Sequence, residues 1–362
     1  MKGPDHPVPS GDRTVARLYV QALTEAGFAV DIASSFRSYD GAGDAARQAM
    51  LLAEAALERT RIAARWRISG APDLWFTYHL YHKAPDLIGP DLTREFGIPY
   101  VVAEPSHAPK RATGAWADFY RRAEAGIRAA NVVFIATAAD SECVTPLRAG
   151  KALVRMPPFI DATGWDAAGT ALQGRGPLRL IALAMMRAGD KLQSYTLLAE
   201  ALERVAASGR VVTLDVIGDG PARAAVESAF RRSVGQVHFH GAVMDRTALS
   251  RLLAAADLYV WPAVNEAYGM AFLEAQLHGL PVVAGNEGGV ADVVRNGETG
   301  LLVAPRDAVA FADAILRLID DADLRTGMGE AARRFVMGER LLPEAARRLG
   351  AVLFPLLGRG HA

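Results

Sequence analysis

The chain has 362 residues, of which 51% are hydrophobic and 22% are charged, so it encodes about two to three globular domains and is not a disordered protein. Its 40 Lys and Arg balance 40 Asp and Glu, and this zero net charge argues against nucleic acid as a partner, because phosphate backbones are bound by an excess of cations. A single cysteine, Cys143, excludes an intrachain disulfide and a thiolate metal cluster and indicates a reducing compartment.

Residues 1–12 are rich in Pro and Gly and are predicted to form a loop. They lack the apolar stretch of a signal peptide, and the chain has no apolar run of about 18 residues, so we expect a cytoplasmic protein without a membrane-spanning helix. A helical pattern follows the loop, and residues 28–33 are predicted as a strand. A doubly wound domain normally begins with a strand before its first helix. We therefore expect the natural first strand to lie upstream, with Met1 a late or mis-assigned start.

The rest of the first half alternates helices with apolar strands. Residues 41–70 are predicted as one long helix rich in Ala and Arg, and residues 114–129 as another. The predicted strands are residues 73–78, 99–103, 131–136 and 151–155. This alternation predicts a parallel sheet covered on both faces.

Residues 161–177 change in composition to Gly, Ala and polar residues and are predicted as a linker. A second alternating series follows, with predicted strands at residues 178–184, 211–217, 237–240, 257–261, 281–284 and 300–303. The predicted domains are therefore residues 1–160 and 178–342, and residues 343–362 contribute a helix that packs back onto the first domain. Two α/β domains joined by one linker are expected to face a cleft, where ligands commonly bind.

Two carboxylates separated by seven residues, Glu266 and Glu274, flank the start of a predicted helix at residues 269–278. On one straight helix they would be offset by about 80° and 12 Å, but the small residues at 267–269 break that geometry. We expect both carboxylates to face a ligand. Glu274 lies among apolar residues and should have a polar partner, for which sugar hydroxyls are good donors.

Two cations, Arg187 and Lys191, follow the predicted strand at residues 178–184. Cations beside a strand end and a helix start suit a diphosphate, although alone they are more typical of a solvated loop. Gly218 and Asp219 lie in the segment IGDGP, where glycines permit close approach of backbone to a ligand or simply form a turn.

These motifs carry a family resemblance. The segments IGDGP, VHFHG, NEAYGMAFLEAQLHGLPVVAG and GLLVAPRD occur in order after the strand with its two cations. Residues 178–318 thus resemble the donor-binding domain of retaining glycosyltransferases of family 4, which have the GT-B fold of two Rossmann-like, doubly wound parallel-sheet domains. The first half resembles the family less sharply, in PSGDRTVARLYVQALTEAGFAVDIAS and PPFID.

The resemblance implies a nucleotide-diphosphate-sugar donor. Arg187 and Lys191 would hold the diphosphate, Glu266 the transferred sugar and Glu274 the ribose. It further implies that no metal or other cofactor is needed, because the cations stabilise the departing diphosphate. The lysine here lies four positions after the arginine, where the family usually has five. The resemblance also implies donor contacts from Gly11, Gly218, Asp219, Ala267, Tyr268, Gly269 and Met270.

The acceptor side stays open. His107 follows the predicted strand at residues 99–103 and is the preferred catalytic candidate by resemblance, with His79 and Glu104 as competitors. The acceptor is expected to be a glycan, a lipid-linked molecule or a small molecule, as in polysaccharide or glycolipid synthesis. The Arg-rich stretches at residues 121–128 and 333–348 are interpreted as solvated helix faces, with peripheral contact to the inner membrane face as the alternative.

Two other functions are weighed against transfer. One is a related epimerase or glycogen-type synthase on the same scaffold. The other is a nucleotide-sugar-binding protein without catalytic activity, since a fold does not fix a function.

Overall fold

The computed structural model describes residues 3–7, 10–165, 176–232 and 236–358. The chain divides into two compact units. The first comprises Met1–Pro157 and Leu342–Ala362, and the second is Pro158–Leu341. Within the described ranges, no helix is both long and apolar enough to cross a membrane. The predicted linker lies mostly outside the described residues, which resume at residue 176.

The first unit alternates helices and strands. Side-chain caps set three of its helix starts: the Ser10 hydroxyl accepts from the Arg13 amide, Asp44 accepts from two amides of the next turn, and the Thr137 hydroxyl accepts from the Asp140 amide. The predicted helix at residues 41–70 is therefore shorter at its start. The elements are α1 (Gly11–Glu25), α2 (Ala45–Ser69), β1 (Trp75–Tyr78), α3 (Gly89–Phe96), β2 (Tyr100–Ala103), α4 (Ala117–Ala129), β3 (Val132–Ile135), α5 (Ala138–Val144), β4 (Ala152–Arg155) and α12 (Leu342–Leu357).

The four strands of the first unit form a parallel sheet in the order β1-β2-β3-β4. Strands β2 and β3 are fully buried, whereas every residue of the edge strand β1 is only half-buried. The predicted strand at residues 28–33 does not form. A strand needs a hydrogen-bonded neighbour, and among the described residues β1 pairs with β2 alone.

Helix α12 packs against α1, although the two lie at opposite ends of the chain. The rings of Phe28 and Phe354 stack at 4.6 Å between centroids. Leu349 and Leu353 of α12 are fully buried, so its apolar stripe is part of the first unit's interior.

The second unit contains a larger alternating series. Its strands are apolar runs such as LYVW and VVAG, which suit a sheet buried on both faces. The elements are β5 (Leu178–Leu183), α6 (Asp190–Ala207), β6 (Val212–Ile217), α7 (Arg223–Ala229), β7 (Gln236–Gly241), α8 (Arg246–Ala254), β8 (Leu258–Trp261), α9 (Met270–Leu277), β9 (Val282–Gly285), β10 (Gly300–Val303), α10 (Ala308–Asp320) and α11 (Ala322–Glu339).

The six strands of this unit form a parallel sheet in the order β10-β9-β8-β5-β6-β7. Strand β5 comes first in the chain and pairs with β6 on one side and β8 on the other. The strand order therefore reverses at β5. In open α/β sheets, ligands bind in the crevice outside the carboxyl ends of the strands at such a reversal.

Candidate functional site

The loop after β5 and the first turn of α6 supply two cations. The Lys191 ammonium bonds the Glu266 carboxylate and lies 5.5 Å from the centroid of the Trp261 ring. Arg187 is exposed, and no described residue accepts a hydrogen bond from its guanidinium. The two cations predicted from the sequence thus differ: Lys191 is engaged within the site, and Arg187 is available to an anion.

The loop between β8 and α9 has a strained backbone. Ala263 and Asn265 adopt positive φ angles of 58° and 49°, which non-glycine residues rarely do. Residues of α6 hold the loop in place: the Val264 amide donates to the Ser194 hydroxyl at 3.0 Å, and the Asn265 amide group donates to the Asp190 carboxylate at 2.9 Å. Strain retained by surrounding hydrogen bonds is typical of a functional loop.

Glu266 of this loop contacts α6 through its bond with Lys191. Its Oε2 accepts from the Trp261 indole at 3.2 Å as well as from Lys191, and its side chain is 16% exposed. The other carboxylate oxygen, Oε1, has no hydrogen-bond donor among the described residues. A carboxylate with two donors on one oxygen can still accept a hydrogen bond from a ligand hydroxyl on the other.

The N-terminus of α9 is uncapped by any side chain. Its cap residue, Gly269, has φ 78°, and a Cβ there would lie 2.7 Å from the Phe272 ring. Glycine is therefore required for the chain to turn into this helix. Uncapped amides at a helix start favour an anion or a hydroxyl oxygen, as predicted for Gly269 and Met270. Ala267 and Tyr268 lie in the same turn.

Glu274 lies one turn into α9 and is half-buried. Burial raises the pKa of its carboxyl to about 7, against a small opposing effect from Arg246. No described residue donates a hydrogen bond to this carboxyl group. Glu274 therefore titrates near neutrality. Its ionised form would be stabilised by a ligand whose hydroxyl groups donate hydrogen bonds to it.

Gly218 and Gly220 allow two loops to cross. A Cβ on Gly218 would lie 1.9 Å from the Ala184 carbonyl oxygen, and one on Gly220 would lie 2.3 Å from the Met186 carbonyl oxygen. Asp219 accepts from its neighbour's amide and from Arg223. The close approach of these carbonyl oxygens therefore requires glycine at both positions, whether or not a ligand binds. The donor contacts predicted for Gly218 and Asp219 stay a prediction.

Sequence reasoning missed the residues that support Glu266. Trp261 donates to its carboxylate. Gly288 lets a second loop approach, because a Cβ there would lie 2.0 Å from the Glu266 carbonyl oxygen, and the Gly289 amide donates to the Ala267 carbonyl at 2.7 Å. The Gly288-Gly289 pair, which two residues separate from the end of strand β9, was the available signal.

His107 of the first unit is engaged at both ring nitrogens. Its Nε2 lies 2.8 Å from the Tyr120 hydroxyl and 3.1 Å from Glu124, and its Nδ1 lies 3.2 Å from the Cys143 carbonyl. Its side chain is 8% exposed. These partners suit a structural histidine, and the catalytic assignment stays a prediction.

The two competitors lie at the carboxyl ends of neighbouring strands. His79 follows β1 with φ 57°, and Glu104 follows β2 with φ 51°. Burial lowers the pKa of His79 to about 4, so its ring is neutral at pH 7. The Tyr19 hydroxyl donates to Glu104 at 3.2 Å. Gly11, predicted as a phosphate-loop residue, is the first residue of α1.

No described part of the chain groups three or more His, Cys, Asp or Glu side chains for a metal ion. The expectation of transfer without a metal stays a prediction.

The second unit carries a known sequence family. Residues 178–321 match the family described as glycosyl transferases group 1, and this range includes the Lys191–Glu266 pair and Glu274. Residues 178–321 are a glycosyl transferases group 1 domain. The strand β5, the cations and the Glu266 loop are therefore parts of one family domain.

Curated relatives match the chain over short stretches. A D-inositol 3-phosphate glycosyltransferase of Corynebacterium aurimucosum is 45% identical over 84 residues, 23% of this chain and 20% of that protein. The sulfoquinovosyl transferase SQD2 of Arabidopsis thaliana is 34% identical over 120 residues, 32% of this chain and 23% of that protein. The chain thus spans about a fifth of the length of the curated relatives it matches.

Solved structures extend the similarity to nearly the whole chain. A sucrose-phosphate synthase from Thermosynechococcus elongatus superposes with a TM-score of 0.69 at 19% identity, covering 95% of this chain and 92% of that one. The Anabaena protein Alr3699/HepE in complex with UDP gives a TM-score of 0.67 at 15% identity, covering 96% and 97%. These neighbours show that the two parallel-sheet units have the GT-B fold, as the sequence predicted.

Proposed function

We propose that the protein transfers a sugar from a nucleotide-diphosphate-sugar donor to a hydroxyl acceptor. The observation that carries the proposal is the junction of Lys191 and Glu266 at the carboxyl ends of β5 and β8, beside the uncapped start of α9. The solved complexes of Anabaena Alr3699/HepE with UDP and with UDP-glucose support a nucleotide-sugar ligand on this fold.

The cations act on the leaving group. When the bond between sugar and diphosphate breaks, positive charge develops on the sugar and negative charge on the departing diphosphate. Fixed cations at the latter lower the barrier, since they are already oriented before the reaction. Arg187, which lacks an acceptor among the described residues, binds the diphosphate directly. Lys191 is positioned by Glu266 and shares its charge between that carboxylate and the phosphate oxygens.

The two glutamates bind different parts of the donor. Glu266 accepts a sugar hydroxyl on Oε1 while Trp261 and Lys191 hold Oε2. Glu274 accepts the ribose hydroxyls, and this stabilises its ionised form. Nucleotide binding is therefore expected to lower the pKa of Glu274 from about 7 and to release a proton.

The family resemblance supports a reaction with retention of configuration at the sugar carbon, in a cytoplasmic protein that works in polysaccharide or glycolipid synthesis. Product stereochemistry tests the first of these: the anomeric configuration of the product, read by NMR coupling constants, should match that of the donor.

A thermal-shift screen of nucleotide sugars tests donor binding, because a ligand at about 100 times its dissociation constant adds about 2.7 kcal/mol to stability. Transfer is then measured with the donors that stabilise the protein. Glu274→Ala should weaken nucleotide binding, while Glu330→Ala, an exposed glutamate on α11, is the matched control. No stabilisation by any nucleotide sugar would overturn the proposal.

The other two functions give distinct results in the same assay. Binding without turnover in the presence of a broad acceptor set indicates a nucleotide-sugar-binding protein. Conversion of the donor sugar in the absence of an acceptor indicates an epimerase.

A further inference from the structure

A cluster of basic residues lies in the loops that follow strands β1 and β2 of the first unit. Lys83 belongs to the loop after β1, whereas Lys110 and Arg111 belong to a 3₁₀ turn in the loop after β2. Neighbouring parallel strands end at the same edge of their sheet, and such edges commonly bind ligands. We call Lys83, Lys110 and Arg111, together with His82 and Trp116, the basic cluster. None of them belongs to the candidate site of the second unit.

The Trp116 ring brings the two loops together. The Lys83 ammonium lies 5.2 Å from the centroid of this ring, and the Arg111 guanidinium carbon lies 5.0 Å from it. The His82 ring packs almost perpendicular to the same ring, at 5.8 Å between centroids. Because cations are attracted to an aromatic face, the tryptophan holds two like charges near each other although they repel.

The cations of the cluster have no counter-charge. Within the described ranges, no carboxylate lies within ion-pair distance of Lys83, Lys110 or Arg111, and none of these side chains donates a hydrogen bond. Lys83 and Arg111 are nevertheless half-buried. By contrast, Arg122 of the following helix α4 pairs with Asp118 at 2.8 Å. A half-buried charge without a partner is unfavourable, and an anion bound to the cluster would supply the partner.

His82 has an unsatisfied ring nitrogen. Its Nε2 is buried and has no hydrogen-bond partner among the described residues. Burial lowers the pKa of His82, and the charges of the three cations lower it further, so the ring is neutral at pH 7. In the tautomer that carries its proton on Nε2, the ring can donate one hydrogen bond. Buried polar atoms normally have partners, and an oxygen of a bound anion would be the partner here.

Asp40 holds both loops of the cluster in position. It is 3% exposed, and its carboxylate accepts from the amides of residues 42–44 and from Gln48. Its own amide donates to the Lys83 carbonyl at 2.8 Å, and its carbonyl accepts from the Trp116 indole at 3.2 Å. The carboxylate of Asp40 is thus bonded within its own segment, while its backbone fixes the two loops. Such a preorganised arrangement favours ligand binding, because little ordering is left to be done when the ligand arrives.

Charge and the number of donors favour a phosphate monoester over a carboxylate. A carboxylate offers one charge and two oxygens, whereas a phosphate monoester carries about −1.5 to −2 charges at pH 7 and three acceptor oxygens. The planar fork of Arg111 matches two phosphate oxygens, and lysine adds a point charge. A flat membrane surface is a poorer match, since it attracts exposed basic residues and two of the three cations here are half-buried.

We propose that the basic cluster binds a phosphate monoester carried by the acceptor, so that the protein glycosylates a phosphorylated molecule. This role rests on the proposed function, whereas phosphate binding can be measured without transfer. During transfer a hydroxyl oxygen of the acceptor bonds to the anomeric carbon of the donor sugar, and the bond from that carbon to the diphosphate breaks. The hydroxyl proton passes to the departing diphosphate, and the monoester is unchanged. The monoester belongs to a soluble sugar or polyol phosphate or to a lipid headgroup, and the chemistry recognised is the same.

Calorimetric titration with inorganic phosphate at constant ionic strength tests the site. We expect Lys83→Met and Arg111→Gln each to raise the dissociation constant at least about tenfold, because each removes a charge-assisted bond to the anion. The matched control is Arg122→Gln, which removes a cation that already pairs with Asp118 and should bind phosphate as the wild type does. Unchanged binding in both cluster variants overturns the proposal, and so does the absence of binding. Binding that only Arg187→Gln abolishes lies in the second unit and also overturns it.

Melting temperatures separate a binding role from a structural one. Phosphate should raise the melting temperature of the wild type and of Arg122→Gln, but not that of Lys83→Met or Arg111→Gln. Without phosphate, the two cluster variants should melt close to the wild type, since each removes a half-buried charge that has no partner. A lower melting temperature that phosphate still raises by the same amount overturns the proposal.

Acceptors then test the role of the site, with a nucleotide sugar that stabilises the protein as the donor. Sugar and polyol phosphates should be used at least about 100-fold more efficiently than their dephosphorylated forms, because the latter leave the cations unpaired. Arg111→Gln should raise KM for the phosphorylated acceptor at least about tenfold with kcat nearly unchanged, as expected for the loss of a binding contact.

A competition assay distinguishes the two sources of the monoester. Soluble sugar phosphates that displace inorganic phosphate assign it to a soluble acceptor. Displacement only by phosphatidylcholine vesicles that contain phosphatidic acid, and not by phosphatidylcholine alone, assigns it to a lipid. Equal use of phosphorylated and dephosphorylated acceptors overturns this inference and leaves the proposed function standing. If no nucleotide sugar binds, the proposed function fails, while phosphate binding that depends on Arg111 still establishes the site.

Discussion

The two parallel sheets differ in what flanks the strand that comes first in each. Strand β5 of the second unit is hydrogen-bonded on both sides, to β6 and to β8, whereas β1 of the first unit has β2 on one side and a cavity on the other. The candidate functional residues lie in the unit whose first strand is paired on both sides. Lys191 and Glu266 extend from the ends of β5 and its neighbour β8 and bond each other.

The comparison teaches that a site in an open sheet lies where the strand order reverses. In the second unit β5 and β8 are adjacent at this reversal, and the loop after β8 is held against helix α6, which follows β5. In the first unit His79 and Glu104 end neighbouring strands but make no bond with each other in the structure as described. The four following predictions test how far the contrast extends.

The largest effect is expected from Lys191→Ala, which removes the cation that bonds Glu266. We expect transfer to fall by about 100- to 1,000-fold, because a fixed charge beside the departing diphosphate is lost. Lys151→Ala, at an exposed lysine of the first unit, is the control and should leave transfer unchanged. Steady-state rates with a stabilising nucleotide sugar measure the difference, and a near-normal rate for Lys191→Ala would refute the assignment of the chemistry to the second unit.

Gly218→Ala tests how tightly the loops of the second unit are packed. The new Cβ would lie 1.9 Å from the Ala184 carbonyl oxygen at a φ of 139°, so we expect stability to fall by about 3 kcal/mol. The control in the first unit is Gly70→Ala, where φ is 85° but no atom lies within 4 Å of the new Cβ.

At Gly70 only the backbone conformation is unfavourable, and the cost should be about 1–2 kcal/mol. Urea denaturation of both variants measures the two costs. Equal losses would show that the crossing of the two loops at Gly218 is no tighter than an open turn.

Glu274 predicts a dependence of stability on pH. Its pKa of about 7 in the folded protein lies above the ordinary value of 4.5, so the folded protein holds this proton more strongly than the unfolded chain. Its contribution to stability therefore declines as pH rises from about 4.5 to 7 and is constant outside that window, by at most about 3 kcal/mol. Melting temperatures of the wild type and Glu274→Gln across this range measure it, and the two curves should converge at low pH. Parallel curves would contradict the raised pKa.

The smallest effect is expected from His107→Gln. Because both ring nitrogens bond to groups of the first unit, we expect a loss of about 1–2 kcal/mol of stability with transfer reduced by less than about threefold. Tyr120→Phe, which removes one of the same hydrogen bonds, should show a similar pattern. A rate loss of 100-fold or more in His107→Gln at unchanged melting temperature would restore the catalytic assignment.

The sequence predicted the strands of both sheets closely, because short, continuous apolar runs such as VVFI and LYVW are typical of strands that are buried on both faces. It did not predict the state of residues 28–33. Their composition favours a strand, but a strand also needs a neighbour, and the neighbour is a tertiary property.

The candidate site, too, was predicted from the sequence only in part. The sequence indicated that Lys191 and Glu266 share a site, since both follow strand ends of one parallel sheet. It could not indicate that Trp261 donates to Glu266, or that Gly288 makes room for the Glu266 carbonyl, because both depend on how separate loops meet. The partners of His107 lie 13 to 36 positions along the chain and were equally hidden.

The packing of α12 against α1 affects the order in which the two units can fold during synthesis. The second unit is one uninterrupted stretch, Pro158–Leu341, and can fold as soon as that stretch has emerged. The first unit begins to be made earlier but needs α12, which is translated only after the whole second unit. The half of the protein that is synthesised first is thus the half completed last, and nascent chains stalled before α12 should expose the apolar stripe of α1.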